Sequence, residues 1–160
     1  MANTKISALG TATLPLSPTD TFVVVQSMGT VPVSKRVAFS NLQTSLTSGT
    51  YSPTLYNTTN VAASTAYAAQ YMRVGNVVTV SGLVDIDATA ATATVLGMSL
   101  PIASNLSSSL QCRGVAACVD ASENAAAIVG DAANDRALIQ YTAASVANVG
   151  WSFMFTYLVV

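Results

Sequence analysis

The sequence predicts an all-β fold, an antiparallel jelly-roll-like β-sandwich carrying an extended N-terminal arm. Three observations lead there. From Tyr51 onward the chain reads as successive short strands, 51–58, 67–74, 77–87, 92–100, 111–119, 125–130, 136–143 and 149–160, with turn chemistry between most of them. No long amphipathic helical pattern separates these runs, which argues against βαβ units. The first 48 residues differ in texture and hold three of the five prolines, so the chain divides into an arm, 1–48, and a sandwich domain, 49–160.

Within the arm, Phe22 to Gln26 form a Val-rich strand, Met28-Gly29-Thr30 a turn, and Val31 to Val37 a second strand, with Pro32 placing that strand near an edge. Ser40, Asn41 and the pair Leu42 and Leu46, four apart, suggest one or two helical turns before a break at Thr47-Ser48-Gly49-Thr50. The arm has too little apolar material for a core of its own and is expected to borrow burial from a partner.

The sandwich domain is most regular at YMRVGNVVTVSGLVDID, residues 71–87. A two-residue turn at Gly75-Asn76 sets Tyr71 opposite Val80 and Arg73 opposite Val78. Strand alternation then puts Val78, Val80, Val84 and Ile86 on one face, and Thr79, Ser81, Asp85 and Asp87 on the other with Gln70. The alanine clusters 88–93 and 125–127 are compatible with helix, but Thr92, Thr94 and Val95 draw the first toward strand. In the last run Trp151, Phe153, Phe155, Tyr157 and Val159 alternate with Ser152, Met154, Thr156, Leu158 and Val160. The second set is also fairly apolar, which predicts burial on both faces.

Composition bounds the function. Charged residues make up 8 % of the 160 and apolar ones 51 %, where about 25 % charge is usual in soluble domains. Such a chain is expected to hide surface against copies of itself or a larger assembly. No run approaches the roughly 18 apolar residues of a membrane span, and the start, MANTKISALG, lacks the apolar stretch of a signal peptide; no membrane partner and synthesis in a cytoplasm are expected. The six basic residues, Lys5, Lys35, Arg36, Arg73, Arg113 and Arg136, are scattered at a net charge of −1, which argues against nucleic acid as a partner. Cys112 and Cys118 are expected to be free, buried thiols in preference to a disulfide.

The chain contains no histidine, which removes the triad nucleophiles and the commonest general base; it also lacks a glycine-rich phosphate loop. No enzyme activity, metal or cofactor is expected. Asp85 and Asp87, about 7 Å apart on one strand face, could share a cation or serve a glycosidase, and Asp131 and Asp135 in GDAANDR form a second acidic loop. Neither follows a calcium-loop pattern, and solvated aspartates at strand ends are the simpler reading. Tyr51, Tyr56, Tyr67, Tyr71, Tyr141, Tyr157 and Trp151 could stack on sugars, although aromatics on strands more often serve core or interface.

The opening Lys5-Ile6-Ser7-Ala8-Leu9, then Asp20, Phe22-Val23-Val24-Val25-Gln26, Ser34-Lys35-Arg36-Val37 and Asn41-Leu42, resembles an N-terminal segment recurrent in structural proteins of tailed bacteriophages. The remainder, TYSPTLYNTTNV to FTYLVV, is similar to the small β-sandwich modules that close such proteins. The resemblance implies a virion protein that is a homotrimer, attached to the major capsid protein or another virion protein through Ile6, Leu9, Leu14, Phe22, Val24, Val37 and Leu42, with Trp151, Phe153, Phe155 and Tyr157 on a core or oligomer strand. A capsid decoration (cement) protein or short head fibre fits the length better than a whole tail fibre. The alternative is a tail-fibre module recognising a host-surface glycan.

Overall fold

A computed structural model describes residues 21–28, 31–38, 46–119 and 125–160. It divides the chain into two units, split between Ser45 and Leu46. In the first, β1 (Thr21–Met28) and β2 (Val31–Ala38) form a two-stranded antiparallel ribbon. Its register sets Phe22 opposite Val37 and Ser27 opposite Pro32, and in a ribbon of two strands each strand is an edge, where a proline is tolerated.

The second unit is one curled antiparallel sheet. Its strands are β3 (Leu46–Tyr51), β4 (Leu55–Thr59), β5 (Val61–Ala66), β6 (Ala69–Val74), β7 (Val77–Ala88), β8 (Ala93–Ser99), β9 (Cys112–Cys118), β10 (Ala125–Asp131), β11 (Arg136–Thr142) and β12 (Asn148–Leu158). They pair in the order β3-β6-β7-β12-β9-β10-β11-β8-β4, and β5 pairs with β7. The all-β antiparallel architecture expected from the sequence is what the chain adopts, as a single continuously bonded sheet folded over one core. One 3-10 turn, Ser109–Gln111, leads into β9; Ser108 caps it, accepting from the Leu110 N–H, while Gln111 reaches back to the Ser108 N–H.

β6 covers the first half of β7 (Val77 to Ser81) and β5 the second half (Val84 to Ala88). β4, at the opposite end of the path, joins β5 through Asn60 alone. The sheet therefore curls until its two flanks meet at that residue. Asn60 sits at a φ of 57°, a left-handed conformation that asparagine tolerates better than most residues. Its side-chain amide donates to the Ala90 carbonyl at 2.8 Å and to Thr94 Oγ1 at 2.7 Å, and its carbonyls accept from the Thr89 hydroxyl and N–H.

The inner face holds the core. Trp151, Phe153, Phe155 and Tyr157 are at most 3 % exposed and pack against Val78, Val80, Val84, Ile86, Leu96, Met98, Ile128 and Ile139. Trp151 meets Tyr141 with ring centroids 4.4 Å apart. Cys112 and Cys118 lie at the two ends of β9, both buried and free. Burial pushes the Cys112 thiol up to about 12, only partly opposed by Arg113.

The structure departs from the sequence reading in several places. Residues 47–50, expected to be a break, lie within β3, because each finds a partner on β6 and Tyr71 packs its ring against Gly49. The helical turns expected around residues 40–46 fall on residues outside the described set, except for Leu46, which opens β3. The run 51–58 is split: Pro53 has no N–H for a ladder, and β4 begins only at Leu55. β5 has no counterpart among the expected runs; its Val-Ala-Ala-Ser-Thr-Ala sequence is small and largely exposed and is held by β7 instead of by its own pattern. In β12 only one face is buried within the chain, since Met154 is 55 % and Leu158 39 % exposed.

Gly114 allows β9 to lie against β12, where it faces Phe155. A Cβ at this position would stand 2.2 Å from the Met154 carbonyl oxygen and 2.4 Å from Phe155 Cβ. Gly114→Ala is therefore expected to cost about 3 kcal/mol or more through overpacking, read as a lower urea midpoint. Gly75→Ala, at a φ of 60° with nothing within 4 Å, should cost only about 1 kcal/mol. Thiol titration makes a separate check: native protein should leave Cys112 unreacted at neutral pH, and denatured protein should release it.

Candidate functional site

Seven charged side chains lie on the described part of the sheet domain: Arg73, Asp85, Asp87, Arg113, Asp131, Asp135 and Arg136. Where each is spent shows where the surface is free to recognise something. Arg73 donates from Nε to the Gly75 carbonyl at 2.7 Å, clasping the β6–β7 turn. Asp135, at a φ of 48°, accepts from the backbone N–H groups of Ser104 at 2.9 Å and Leu106 at 3.0 Å. Burial works against its charge, but those amide bonds outweigh it and hold the carboxyl below its ordinary value. Both residues therefore have structural employment.

Asp131 pairs with Arg136, Nε to Oδ2 at 2.8 Å, and accepts from the Asn134 side-chain amide at the same distance. Burial again opposes the charge, and the hydrogen bonds and Arg136 lower the Asp131 carboxyl overall. The Arg136 guanidinium lies 5.0 Å from the centroid of Tyr56, its stem crossing the Gly97 backbone. The acidic loop expected at Asp131 and Asp135 thus divides into an ion pair and a loop clamp. No group of three or more metal-ligating side chains occurs among the described residues.

Asp85 and Asp87 share the outer face of β7, as alternation requires. The Tyr67 hydroxyl donates to Asp85 Oδ2 at 2.7 Å, and that bond, followed by the aspartate charge, raises the phenol above its ordinary value. Asp87 is half-buried, with Oδ1 enclosed and lacking a hydrogen-bond partner. Opposite them on β5 stand Thr65 and Ala63, and opposite on β12 stand Gly150 and Asn148. Arg73 lies on the other face of the hairpin, so the three charges of residues 71–87 do not converge.

Of the seven aromatics that could stack on a sugar, five are taken. Trp151, Tyr141 and Tyr157 are buried; Tyr51 and Tyr71 form a half-buried edge-to-face pair. Tyr157 also bonds both the N–H and the carbonyl of Ile102. Tyr56 and Tyr67 alone among the seven remain open, each 43 % exposed, and each is held by a charged neighbour. Sequence reading names both tyrosines among the seven but has no signal for the Arg136 contact, which depends on β4, β8 and β11 lying side by side.

Of the attachment residues, Ile6, Leu9, Leu14 and Leu42 lie outside the described residues; Phe22 and Val24 fall on β1 and Val37 on β2. Trp151, Phe153, Phe155 and Tyr157 are consumed by the chain's own core. No helix among the described residues is long and apolar enough to cross a membrane.

Tyr56 and Tyr67 thus stand on the outer surface of an all-β, curled antiparallel sheet, each in contact with a charged side chain. Among solved structures the chain is similar to the reovirus attachment protein sigma1, determined in complex with α-2,3-sialyllactose, at a TM-score of 0.51 and 12 % identity over 98 % of this chain and 94 % of that one. At that identity the likeness is one of fold. No protein-family model and no curated protein matches the sequence.

The clamp at Asp135 sets a pH dependence. Its folded-state value lies below the roughly 3.9 of an unfolded aspartate, so its contribution is present above about pH 4 and is lost as pH falls through the folded value. The urea midpoint should therefore drop as pH falls below about 4. Asp135→Asn should lower the midpoint at neutral pH and flatten that acid limb; an unchanged limb would remove Asp135 from this role.

Proposed function

We propose that this chain is a non-enzymatic virion protein whose sheet domain recognises a host-surface glycan, with the residues before Leu46 fastening it to the particle. The observation that carries the reading is two open tyrosine rings, Tyr56 and Tyr67, each restrained by contact with a charged partner. A ring already restrained loses less freedom when a sugar face stacks on it, and a carboxylate beside it accepts hydroxyl hydrogen bonds. The fold likeness to a viral attachment protein supports recognition over the capsid-cementing role suggested by length and by the resemblance of the arm.

The charges select the ligand class. Asp85 and Asp87 disfavour an acidic sugar at Tyr67, and Arg136 is already neutralised by Asp131. A neutral glycan is the better match at both rings. The absence of histidine and the engagement of Asp85 by Tyr67 support binding without bond cleavage.

A glycan array carrying neutral and sialylated members would test this with the purified full chain. Neutral glycans should bind, and Tyr67→Ala or Tyr56→Ala should weaken binding about tenfold, equivalent to about 1.4 kcal/mol, with unchanged thermal stability. No binding to any member, or binding indifferent to both substitutions, defeats the proposal.

A further inference from the structure

The outer face of the sheet changes character along its strands. On β7 the outward residues run Val77, Thr79, Ser81, Leu83, Asp85, Asp87, from apolar at the Gly75-Asn76 turn to acidic at the far end. Across the strands the same end is apolar too. Leu46, Val74, Val77 and Leu158 lie side by side in register through β3, β6, β7 and β12. The next outward row sets Ser48, Met72, Thr79, Thr156 and Arg113 side by side, and the one after it Thr50, Gln70, Ser81, Met154 and Val115. Leu110, at the 3-10 turn, borders the first row, where a shallow depression of about 400 Å³ is lined by Val77, Leu110, Arg113 and Leu158.

These side chains are exposed to an unusual degree. Leu46, Met72, Val74, Leu110, Val115 and Met154 are between 53 % and 71 % exposed, Val77 44 % and Leu158 39 %. Together they leave on the order of 800 Å² of surface uncovered, interleaved with exposed Ser48, Gln70, Ser81 and Thr156, an area comparable with what each partner contributes to a stable interface. Arg113 is the one ionisable side chain in these three rows.

We infer that this five-stranded face, β3-β6-β7-β12-β9, apolar in its first row and bearing a single charge, is where a second copy of the chain packs. The uncovered area is what such a contact needs. The face carries one charge, Arg113, so two copies meet with little of the like-charge repulsion that a densely charged surface would impose on self-association. A charged foreign partner would find only Arg113 to complement. The hydroxyl pair Thr79 and Thr156, 3.2 Å apart, satisfies itself and needs no partner when covered. The whole chain's shortage of charge, 8 %, has its physical counterpart here. Glycan recognition at the acidic end does not enter this argument.

Two methionines on the face report on it without substitution. Met72 and Met154 are 57 % and 55 % exposed in the single chain, whereas Met98 is fully buried in the core. With full-length protein, analytical ultracentrifugation should give the mass of more than one chain. Under those conditions peroxide should oxidise Met72 and Met154 at least tenfold more slowly than in urea-unfolded protein, approaching Met98. Met154→Lys, a change at an exposed side chain, should reduce the mass to one chain with an unchanged circular dichroism spectrum; Val74→Lys supplies the same test should Met154→Lys fail to fold. The inference is overturned by a monomer at all concentrations, by an oligomer with both methionines readily oxidised, or by an oligomer indifferent to the lysine substitutions. A monomer with both methionines protected also overturns it, since residues before Leu46 would then be the cover.

Discussion

Everything else in the sheet domain depends on the pairing of β12 between β7 and β9. β12 meets β7 from Asn148 to Leu158 and β9 from Trp151 to Tyr157, so its backbone is satisfied on both sides at the centre of the sheet. Strand alternation then commits Trp151, Phe153, Phe155 and Tyr157 to one face, and four large aromatics on one face need a concave enclosure. A flat sheet would leave them half wet. The curl that brings β8, β10 and β11 over them supplies Leu96, Met98, Ile128 and Ile139 as the facing wall.

That curl must be locked where the flanks meet, and the lock is polar. Asn60 stitches β4 and β5 to the segment after β7 through Thr89 and Ala90 and to β8 through Thr94, and Ser64 adds a 2.7 Å bond to Asn57 across the same junction. Thr94, fully buried, accepts from Asn60 and donates to the Thr92 carbonyl, so closure leaves its hydroxyl satisfied. Asp135 performs the equivalent task for the loop before β9, where Ser104 also bonds the Leu158 carbonyl and receives the Val160 N–H. Of the few carboxylates, Asp135 is placed where backbone amides need an acceptor and Asp131 where it pairs with Arg136.

What could be read from the sequence was what strand periodicity encodes. The hairpin at Gly75-Asn76, the register of Tyr71 with Val80 and the buried face of β12 all follow from alternation and turn chemistry, and each is local. β5 is illegible because Val61 to Ala66 has no amphipathic contrast; it is a strand only because β7 offers a free edge beyond β6. Asn60 and Asp135 are illegible for a related reason: a polar residue at positive φ announces a turn, not the strand thirty residues away that it ties down. At the candidate site, the sequence offers seven aromatics and two pairs of aspartates as equals. Packing then removes five of the rings and gives Asp131 and Asp135 to structure.

The outer face carries the consequence. β7 is one strand with one alternation, yet its outward residues pass from Val77 to Asp87, and β12 passes in parallel from Leu158 through Met154 to Asn148. Two neighbouring strands that grade the same way across a shared register make a surface whose ends differ in chemistry while its backbone is uniform. An apolar end gains by being covered, because its surface is removed from water. The acidic end, with Tyr67 fixed by Asp85, gains nothing from apolar cover, since desolvating a carboxylate is costly without a bonded partner. A single alternating pattern therefore gives one sheet an end that gains by being covered and an end that is best left in water.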